Sequence, residues 1–261
     1  MKKLNLNITS ASRQNTRDFS KPNEDFLLAD KENGIFILLD GITRVHAEYA
    51  EIPGYSAASE VNKLFCATVY EHIKANLTKR DIRKVITDAM ILGNQKIARF
   101  REQKPLEQWQ FYPGTLGIIC VLRGRKLHYA YVGDCLGMLL RGNSKVFFGE
   151  QQSVKASDLH NPTKAERYDL YCNHPENELS YAIFNGDDAV AEGIESGWLD
   201  LYENDRVFLV SDGVAPYIRY EKASAMIDLT AQQILDASTK YDIPPYAKYA
   251  DDKAAIVLQF T

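Results

Sequence analysis

Apolar runs that lead into an aspartate are the clearest pattern along the chain. Residues 35–39 are five consecutive apolar residues, and they run directly into Asp40 and Gly41. The run is too short for an independent helix and is rich in strand formers, so it predicts a buried strand. Taken alone, an Asp-Gly pair after a strand is more typical of a hairpin turn than of a functional site.

The same pattern occurs twice more. Residues 207–210 form a second apolar run, which ends in Ser211-Asp212-Gly213. Asp251-Asp252 directly precedes a third apolar stretch, residues 254–260. Three strands that each carry an aspartate at one end predict a candidate cage for a divalent metal.

A predicted hairpin brings further acids toward Asp40. Residues 26–29 form a short apolar strand, and residues 30–34 supply turn formers before the next strand. In an antiparallel pair, the start of one strand lies beside the end of the other. Glu24 and Asp25 are therefore expected to converge on Asp40. The alternative is that both are solvated charges at the start of a strand.

Helices and a longer series of strands complete the prediction. Periodic apolar positions predict one helix over residues 58–73 and a second from Thr78 to Phe100, with Asp81 as part of a capping box.

Residues 10–23 are predicted to be a loop, and residues 150–180 a polar surface excursion. The remaining predicted elements are a four-strand antiparallel meander over residues 116–148, strands at 181–184, 194–199 and 207–210, a helix over 221–240, and a final strand. With no repeat or linker, the chain is predicted to be a single α+β domain, 1–261, built as a β-sandwich clad by helices.

Composition and charge exclude several classes of protein. The chain has 261 residues, 45% hydrophobic and 25% charged, which is typical of a globular protein. Its net charge of −4 argues against nucleic acid or an anionic membrane as the main partner. No segment has the length of a membrane span, and the N-terminus alternates apolar and polar residues, unlike a signal peptide. We expect a cytoplasmic monomer whose four widely spaced cysteines are free thiols.

The acids favour a hard cation. Carboxylates with a backbone carbonyl, and no Cys/His cluster, suit Mg²⁺ or Mn²⁺, and several of them can hold two ions about 4 Å apart. A structural calcium site is the alternative, but calcium loops usually take their ligands from one short segment. No Walker loop, Gly-x-Ser-x-Gly elbow or dinucleotide fingerprint is present.

Six short motifs follow one another along the chain: Asn23-Glu24-Asp25, Leu39-Asp40-Gly41, Pro113-Gly114-Thr115, Val132-Gly133-Asp134, Ser211-Asp212-Gly213, and Asp252 before the last strand. In this order they resemble the metal-dependent, type 2C serine/threonine protein phosphatases. Each motif is weak alone, but six in register are specific. The resemblance implies two stacked antiparallel β-sheets flanked by α-helices on both sides, in αββα layers.

The resemblance also implies a function and a set of site residues. Asp40 would bridge two Mn²⁺ or Mg²⁺ ions. The Gly41 carbonyl and Glu24, through water, would serve one ion, and Asp212 and Asp252 the other. A metal-bridging water would attack the phosphorus of phosphoserine or phosphothreonine in a protein substrate, without a phosphoenzyme.

The substrate grip departs from the family pattern. Family members carry a phosphate-binding arginine where this chain has Ser20, so Arg17 or Lys21 is a candidate replacement. The usual residues after Asp-Gly are replaced by Ile42-Thr43-Arg44, which makes Arg44 another candidate cation and His46 a candidate general acid. Pro216 stands where many members have a further aspartate, so a third metal site would lose a ligand. Lys253 and Cys135 also depart from the pattern.

Two alternatives remain from the sequence. The departures around Ser20 and Ile42 favour a pseudophosphatase, in which the same fold acts as a binding or regulatory module. The other alternative is a phosphatase of small phosphorylated metabolites.

Overall fold

The predicted strands form two five-stranded antiparallel sheets in the computed structural model, which describes residues 4–15, 22–42, 56–103, 113–149, 170–243 and 251–261. The strands are β1 (Leu6–Arg13), β2 (Phe26–Asp30), β3 (Ile35–Ile42), β4 (Gly114–Arg123), β5 (Lys126–Val132), β6 (Leu136–Arg141), β7 (Ser144–Phe148), β8 (Glu195–Asp200), β9 (Arg206–Val210) and β10 (Lys253–Phe260). One sheet has the order β1-β10-β9-β6-β7, and the other β2-β3-β4-β5-β8.

The two sheets pack face to face over a shared apolar core. Residues 35–39 of β3 are fully buried, as the sequence predicts, and the same core contains Val207 and Leu209 of β9 and Ile256 of β10. Both faces of each central strand are therefore covered, which explains why these strands read as continuous apolar runs.

Helices cover the outer face of each sheet. The helices α1 (Ala57–Asn76) and α2 (Ile82–Gln103) pack on the sheet that contains β3 and β4. The shorter helices α3 (Ala215–Tyr220) and α4 (Ala231–Ser238) pack on the other sheet, in a second core with Phe208 and Val257. The αββα layers are confirmed.

Side-chain caps fix where these helices begin. The Ser56 hydroxyl accepts the N–H of Ser59 at the start of α1, and the Asp81 carboxylate accepts the N–H of Lys84 at the start of α2. Thr230 and Gln233 form a reciprocal capping box at α4. The second helix thus starts at Ile82, directly after its cap Asp81, and not at Thr78.

Three predicted elements differ in the structure. Residues 10–23 are not all loop, because β1 continues to Arg13 through its pairing with β10. The helix predicted over residues 221–240 is broken into a 3₁₀ turn at Ala223–Ala225 and the helix α4, which starts at its own cap. Residues 181–184 form only isolated bridges, such as the one between Phe184 and Thr115.

The predicted meander is divided between the sheets. Strands β4 and β5 belong to one sheet, and β6 and β7 to the other. Gly133 lies at the crossing with φ of +90°, and a Cβ there would come within 2.6 Å of Leu116. Glycine is the residue that tolerates both conditions.

The four cysteines are free and buried, as predicted. Burial raises the pKa of the Cys66 thiol to about 12, which keeps it in the unreactive thiol form. None of the described helices has the length and apolar character needed to cross a membrane. Part of the predicted excursion, residues 150–169, lies outside the described residues.

Candidate metal centre

The strand ends that carry the aspartates lie together at one end of the sandwich. Strand β9 pairs antiparallel with β10, so the end of β9 lies beside the start of β10. Strand β2 pairs with β3 in the same sense, with Phe26 opposite Leu39. The predicted hairpin is therefore confirmed, and it brings the segment before β2 to the end of β3.

Asp40 lies near the end of β3 and is partly exposed. Its neighbours in space include acids from both sheets. Burial raises the pKa of Asp40 well above its usual value, and the negative charges of Asp212, Asp25 and Asp134 raise it further. A carboxyl group surrounded by like charges is costly to ionise unless a cation joins it.

Asp212 follows β9 in the other sheet. Its pKa is also raised well above the usual value, first by burial and then by Asp134, Asp251 and Asp25. The same acids thus act on Asp212 and on Asp40, although the two residues are far apart in sequence. They belong to one electrostatic group.

Asp25 is a buried member of this group, with 7% of its surface exposed. Its Oδ2 atom is buried and has no hydrogen-bond partner among the described residues. Burial raises the pKa of Asp25 well above its usual value, and this outweighs a hydrogen bond from Ser211. A buried carboxylate oxygen that lacks a partner is a natural ligand for a cation.

Glu24 is held in place beside Gly41. The Ser56 hydroxyl at the start of α1 donates to Glu24 Oε1, and Asn62 Nδ2 donates to the Glu24 backbone carbonyl. A Cβ at Gly41 would lie 2.8 Å from that carbonyl oxygen, so the position requires glycine. The hairpin and α1 together fix both residues.

Asp252, which the sequence analysis selected as a metal ligand, has both carboxylate oxygens engaged by the backbone. The N–H of Asn15 donates to Oδ1 at 2.7 Å, and the N–H of Glu24 donates to Oδ2 at 2.7 Å. Asp252 is 4% exposed and joins the start of β10 to the segments on either side of it. These bonds are typical of a structural carboxylate.

Asp251 and Asp252 both act on Asp25, and Oδ1 of Asp251 accepts the N–H of Asp252 at 2.8 Å. The Asp251 side chain is exposed, and its charge acts on Asp25, Asp40 and Asp212. The sequence analysis did not select Asp251 or Asp134. The adjacency of Asp251 to Asp252, and the Val132-Gly133-Asp134 motif, were the available signals. The acidic group is defined hereafter as Asp25, Asp40, Asp134, Asp212 and Asp251.

The acidic group fits a divalent cation by its chemistry. It offers only carboxylate oxygens, which Mg²⁺ and Mn²⁺ prefer, and its members raise each other's pKa. As the side chains stand, no three Asp, Glu, His or Cys residues in the described part of the chain form a ready-made metal cage. A bound cation would offset the repulsion between these carboxylates.

The structure does not describe the residues that the sequence predicts to bind the substrate phosphate. Arg17, Lys21, Arg44 and His46 all lie outside the described residues. Lys253 is described, and its Nζ donates to the Gly213 carbonyl and to Asp242, both at 2.6 Å. These two contacts give Lys253 a structural role.

The sequence matches one known protein family. Residues 11–166, more than half of the chain, match the sequence profile described as Protein phosphatase 2C. The chain belongs to this family. Its class is therefore that of the metal-dependent serine/threonine protein phosphatases, and the predicted enzyme class is confirmed. No curated protein matches the sequence of this family member.

Solved structures of 2C-type and related phosphatases share the fold. The Mycobacterium tuberculosis serine/threonine phosphatase PstP/Ppp has a TM-score of 0.72 at 19% identity, over 97% of this chain and 98% of that one. The PstP catalytic domain in complex with two manganese ions has a TM-score of 0.64 at 19% identity, over 99% of both chains. PppA, described as a regulatory component of T6SS in Pseudomonas aeruginosa, has a TM-score of 0.66 at 14% identity, over 98% of both chains.

Proposed function

We propose that this protein hydrolyses phosphoserine and phosphothreonine in proteins, using two Mn²⁺ or Mg²⁺ ions held by the acidic group. The observation that carries the proposal is the convergence of aspartates from both sheets on Asp40. Family membership supports the reaction, and the donor chemistry supports the ions.

Asp40 is proposed as the ligand shared by the two ions, because acids from both sheets act on it. Asp212 and Asp251 would hold one ion. The Gly41 carbonyl and Glu24, the latter through water, would serve the other. When bound, two such ions supply a shared nucleophilic water at neutral pH and neutralise the phosphate oxygens.

Asp251 replaces Asp252 in this proposal. The Asp252 carboxylate already accepts one backbone N–H group on each oxygen, which leaves fewer lone pairs for a cation. Asp252 would instead hold the Glu24 backbone beside Gly41. It acts on the site as a positioning residue.

The chain's own residues prepare the site in two further ways. Ser56 orients the Glu24 carboxylate through its hydroxyl, and Ser211 contacts Asp25 while its Oγ accepts the N–H of Ala254 at 2.9 Å. These contacts hold Glu24 and Asp25, which both precede β2, at fixed positions. Arg17, Lys21 or Arg44 would bind the substrate phosphate, and His46 would protonate the leaving alkoxide.

Activity with and without metal tests the proposal. We expect hydrolysis of p-nitrophenyl phosphate and of a phosphothreonine peptide with Mn²⁺, and none in EDTA. Asp40→Asn should lower kcat by about 10³-fold, because a shared ligand is lost. Asp188→Asn is the matched control, since Asp188 is an exposed aspartate in another part of the fold.

A pseudophosphatase is the second candidate, favoured by Ser20 in place of an arginine and by the altered loop after Gly41. Calorimetry that detects Mn²⁺ binding without any hydrolysis above background would support it. The third candidate is a phosphatase of small phosphorylated metabolites. Rates on a panel of phosphopeptides and phosphorylated metabolites distinguish it from a protein phosphatase, because it would prefer the small substrates.

A further inference from the structure

An exposed tryptophan surrounded by cations lies at the end of the sandwich opposite to the acidic group. Trp198 in the edge strand β8 is 46% exposed. Within the described residues, β8 pairs only with β5, and Trp198 lies opposite His128. A large exposed aromatic side chain on a sheet edge is a common feature of binding surfaces.

Two cations from different elements contact the Trp198 ring. The Arg83 guanidinium carbon, on α2, lies 4.7 Å from the ring centroid, and Lys126 Nζ, on β5, lies 5.3 Å from it. Such contacts orient both cations and leave their outer faces to solvent. Lys126 also lies 3.6 Å from Asp200, in an exposed ion pair that water weakens.

More cations extend this surface. The exposed Arg123 donates to the Lys79 carbonyl, which joins the β4–β5 turn to the segment before α2. We define the Trp198 patch by the residues Lys79, Arg80, Arg83, Arg123, Lys126 and Trp198. Its acidic neighbours are Asp81 and Asp200, so the patch has a positive net charge on a chain whose net charge is −4.

A second observation supports an excess of positive charge. His128 lies beneath the patch, and its Nδ1 is buried without a hydrogen-bond partner among the described residues. Burial lowers the pKa of His128, and the charges of Lys126, Arg83 and Arg123 lower it further. The local field therefore favours an approaching anion.

We propose that the Trp198 patch is a docking site for an extended, acidic segment of a protein partner. For a protein phosphatase, that partner would be the substrate, bound at a distance from its phosphorylated residue. Only this last step rests on the proposed function. Carboxylates of the segment would pair with Arg83, Arg123 and Lys126, while an apolar side chain would lie on Trp198.

The edge strand favours a protein over a nucleic acid. In the part of the chain that the structure describes, no strand pairs with β8 on the side away from β5, so an extended peptide can pair with its backbone there, and a nucleic acid cannot match that register. The net negative charge of the chain also disfavours a polyanion as long as a nucleic acid.

Trp198 can report its own binding event. The chain has two tryptophans, and Trp109→Phe leaves Trp198 as the only one. We expect a peptide of alternating Glu and Val residues to change the fluorescence of this metal-free protein saturably, with an affinity that falls as salt is raised. In Arg83→Gln/Lys126→Gln, the affinity should fall by about tenfold or more.

Matched variants keep the test specific. Arg219→Gln/Lys222→Gln removes two exposed cations elsewhere and should leave the affinity unchanged. Arg83→Lys keeps the charge and should retain most of the binding. Hydrolysis of p-nitrophenyl phosphate should be the same in Arg83→Gln/Lys126→Gln as in the parent, with an unchanged circular dichroism spectrum.

Three outcomes would overturn the inference. They are no saturable fluorescence change, equal affinity in Arg83→Gln/Lys126→Gln and its control, and tighter binding of a single-stranded RNA of equal charge than of the peptide. Because the fluorescence test uses neither metal nor a phosphorylated substrate, a failure of the proposed phosphatase activity would not produce any of these results.

Discussion

Strand β9 has a buried or partly buried aspartate at each end, and the two aspartates have opposite surroundings. Asp205, before β9, is 1% exposed and is fully paired. It accepts Arg141 Nε at 2.8 Å and Arg141 Nη2 at 2.7 Å, and the N–H of Tyr202 at 2.8 Å. Asp212, after β9, is surrounded by other carboxylates, which raise its pKa.

The difference separates a structural acid from a functional one. A carboxylate that is buried for stability has a cation and hydrogen bonds from the chain itself, as Asp205 has. A carboxylate surrounded by other carboxylates lowers the stability of the fold by repulsion. Such an arrangement is typical of functional sites. Pairing, more than burial or strand position, distinguishes the two ends of β9.

The largest expected contrast comes from removing each charge in turn. Asp212→Asn should lower the Mn²⁺-dependent kcat by about 10³-fold, because a proposed ligand is lost. Asp205→Asn should retain activity but lower the free energy of unfolding by about 2 kcal/mol, because Arg141 loses its bidentate partner. Steady-state kinetics and urea denaturation measure the two effects.

The metal-free Asp212→Asn protein provides the control. It should be at least as stable as the parent in EDTA, since one repelling charge is gone. A large loss of stability in Asp212→Asn, or a large loss of activity in Asp205→Asn, would show that the comparison between the two ends of β9 is mistaken.

The same contrast is expected at adjacent positions. Asp251→Asn should weaken Mn²⁺ binding by about 10- to 100-fold with little change in stability, because its side chain is exposed and faces the acidic group. Asp252→Asn should lower the free energy of unfolding by about 1–3 kcal/mol, because one of the two backbone N–H groups then faces an NH₂ donor in place of an acceptor. Calorimetric titration and thermal unfolding separate the two. The reverse result would restore Asp252 as the ligand.

The stability of the metal-free protein should depend on pH in the direction set by the acidic group. The pKa values of Asp25, Asp40 and Asp212 are raised in the folded state, so the folded protein holds protons that the unfolded chain releases near its usual value of 3.8. The resulting stability is full below that value and is lost as pH rises through the raised pKa values.

Thermal unfolding in EDTA at about pH 5 and pH 8 measures this loss, which should be at least about 1 kcal/mol. Saturating Mn²⁺ should abolish or reverse the trend, because a cation favours the ionised acids. A metal-free protein that is more stable at pH 8 than at pH 5 would contradict the electrostatic description of the site.

The smallest expected effect concerns Ser211, which contacts Asp25 and accepts the Ala254 N–H. Ser211→Ala should lower the free energy of unfolding by about 1 kcal/mol and reduce kcat severalfold, because Asp25 is less firmly held. Ser238→Ala is a matched control, since Ser238 is equally buried but lies at the end of α4. Equal kinetic effects in both variants would remove Ser211 from the site.

The strands that build the site could be predicted because their apolar runs are unambiguous. Residues 35–39 are continuous and flanked by turn residues, and this fixes both the strand and its hairpin with β2. Antiparallel pairing then places Asp25 beside Asp40 without further information. The helix predicted over residues 221–240 was only partly correct, because Met226 and Leu229 lie in the turns that precede α4.

The sequence locates the Asp251-Asp252 pair, and our proposal for which of the two binds metal depends on the fold. Successive residues beside a strand point in different directions, so their roles cannot be assigned from the motif alone. The Asp252 carboxylate meets the backbone of Asn15 and Glu24, which are more than two hundred residues away in sequence. We propose Asp251 as the ligand because of these contacts, and the Asp251→Asn and Asp252→Asn variants test that proposal.

The proposed ligands come from both sheets: Asp40 from one, and Asp212 and Asp251 from the other. An ion held between them would act as a reversible cross-link across the sandwich, comparable in its thermodynamics to a disulfide that closes a long loop. Loss of the ion would then free the two layers to separate at that edge first. Metal availability would thus control how firmly the two sheets are held together, as well as the rate of hydrolysis.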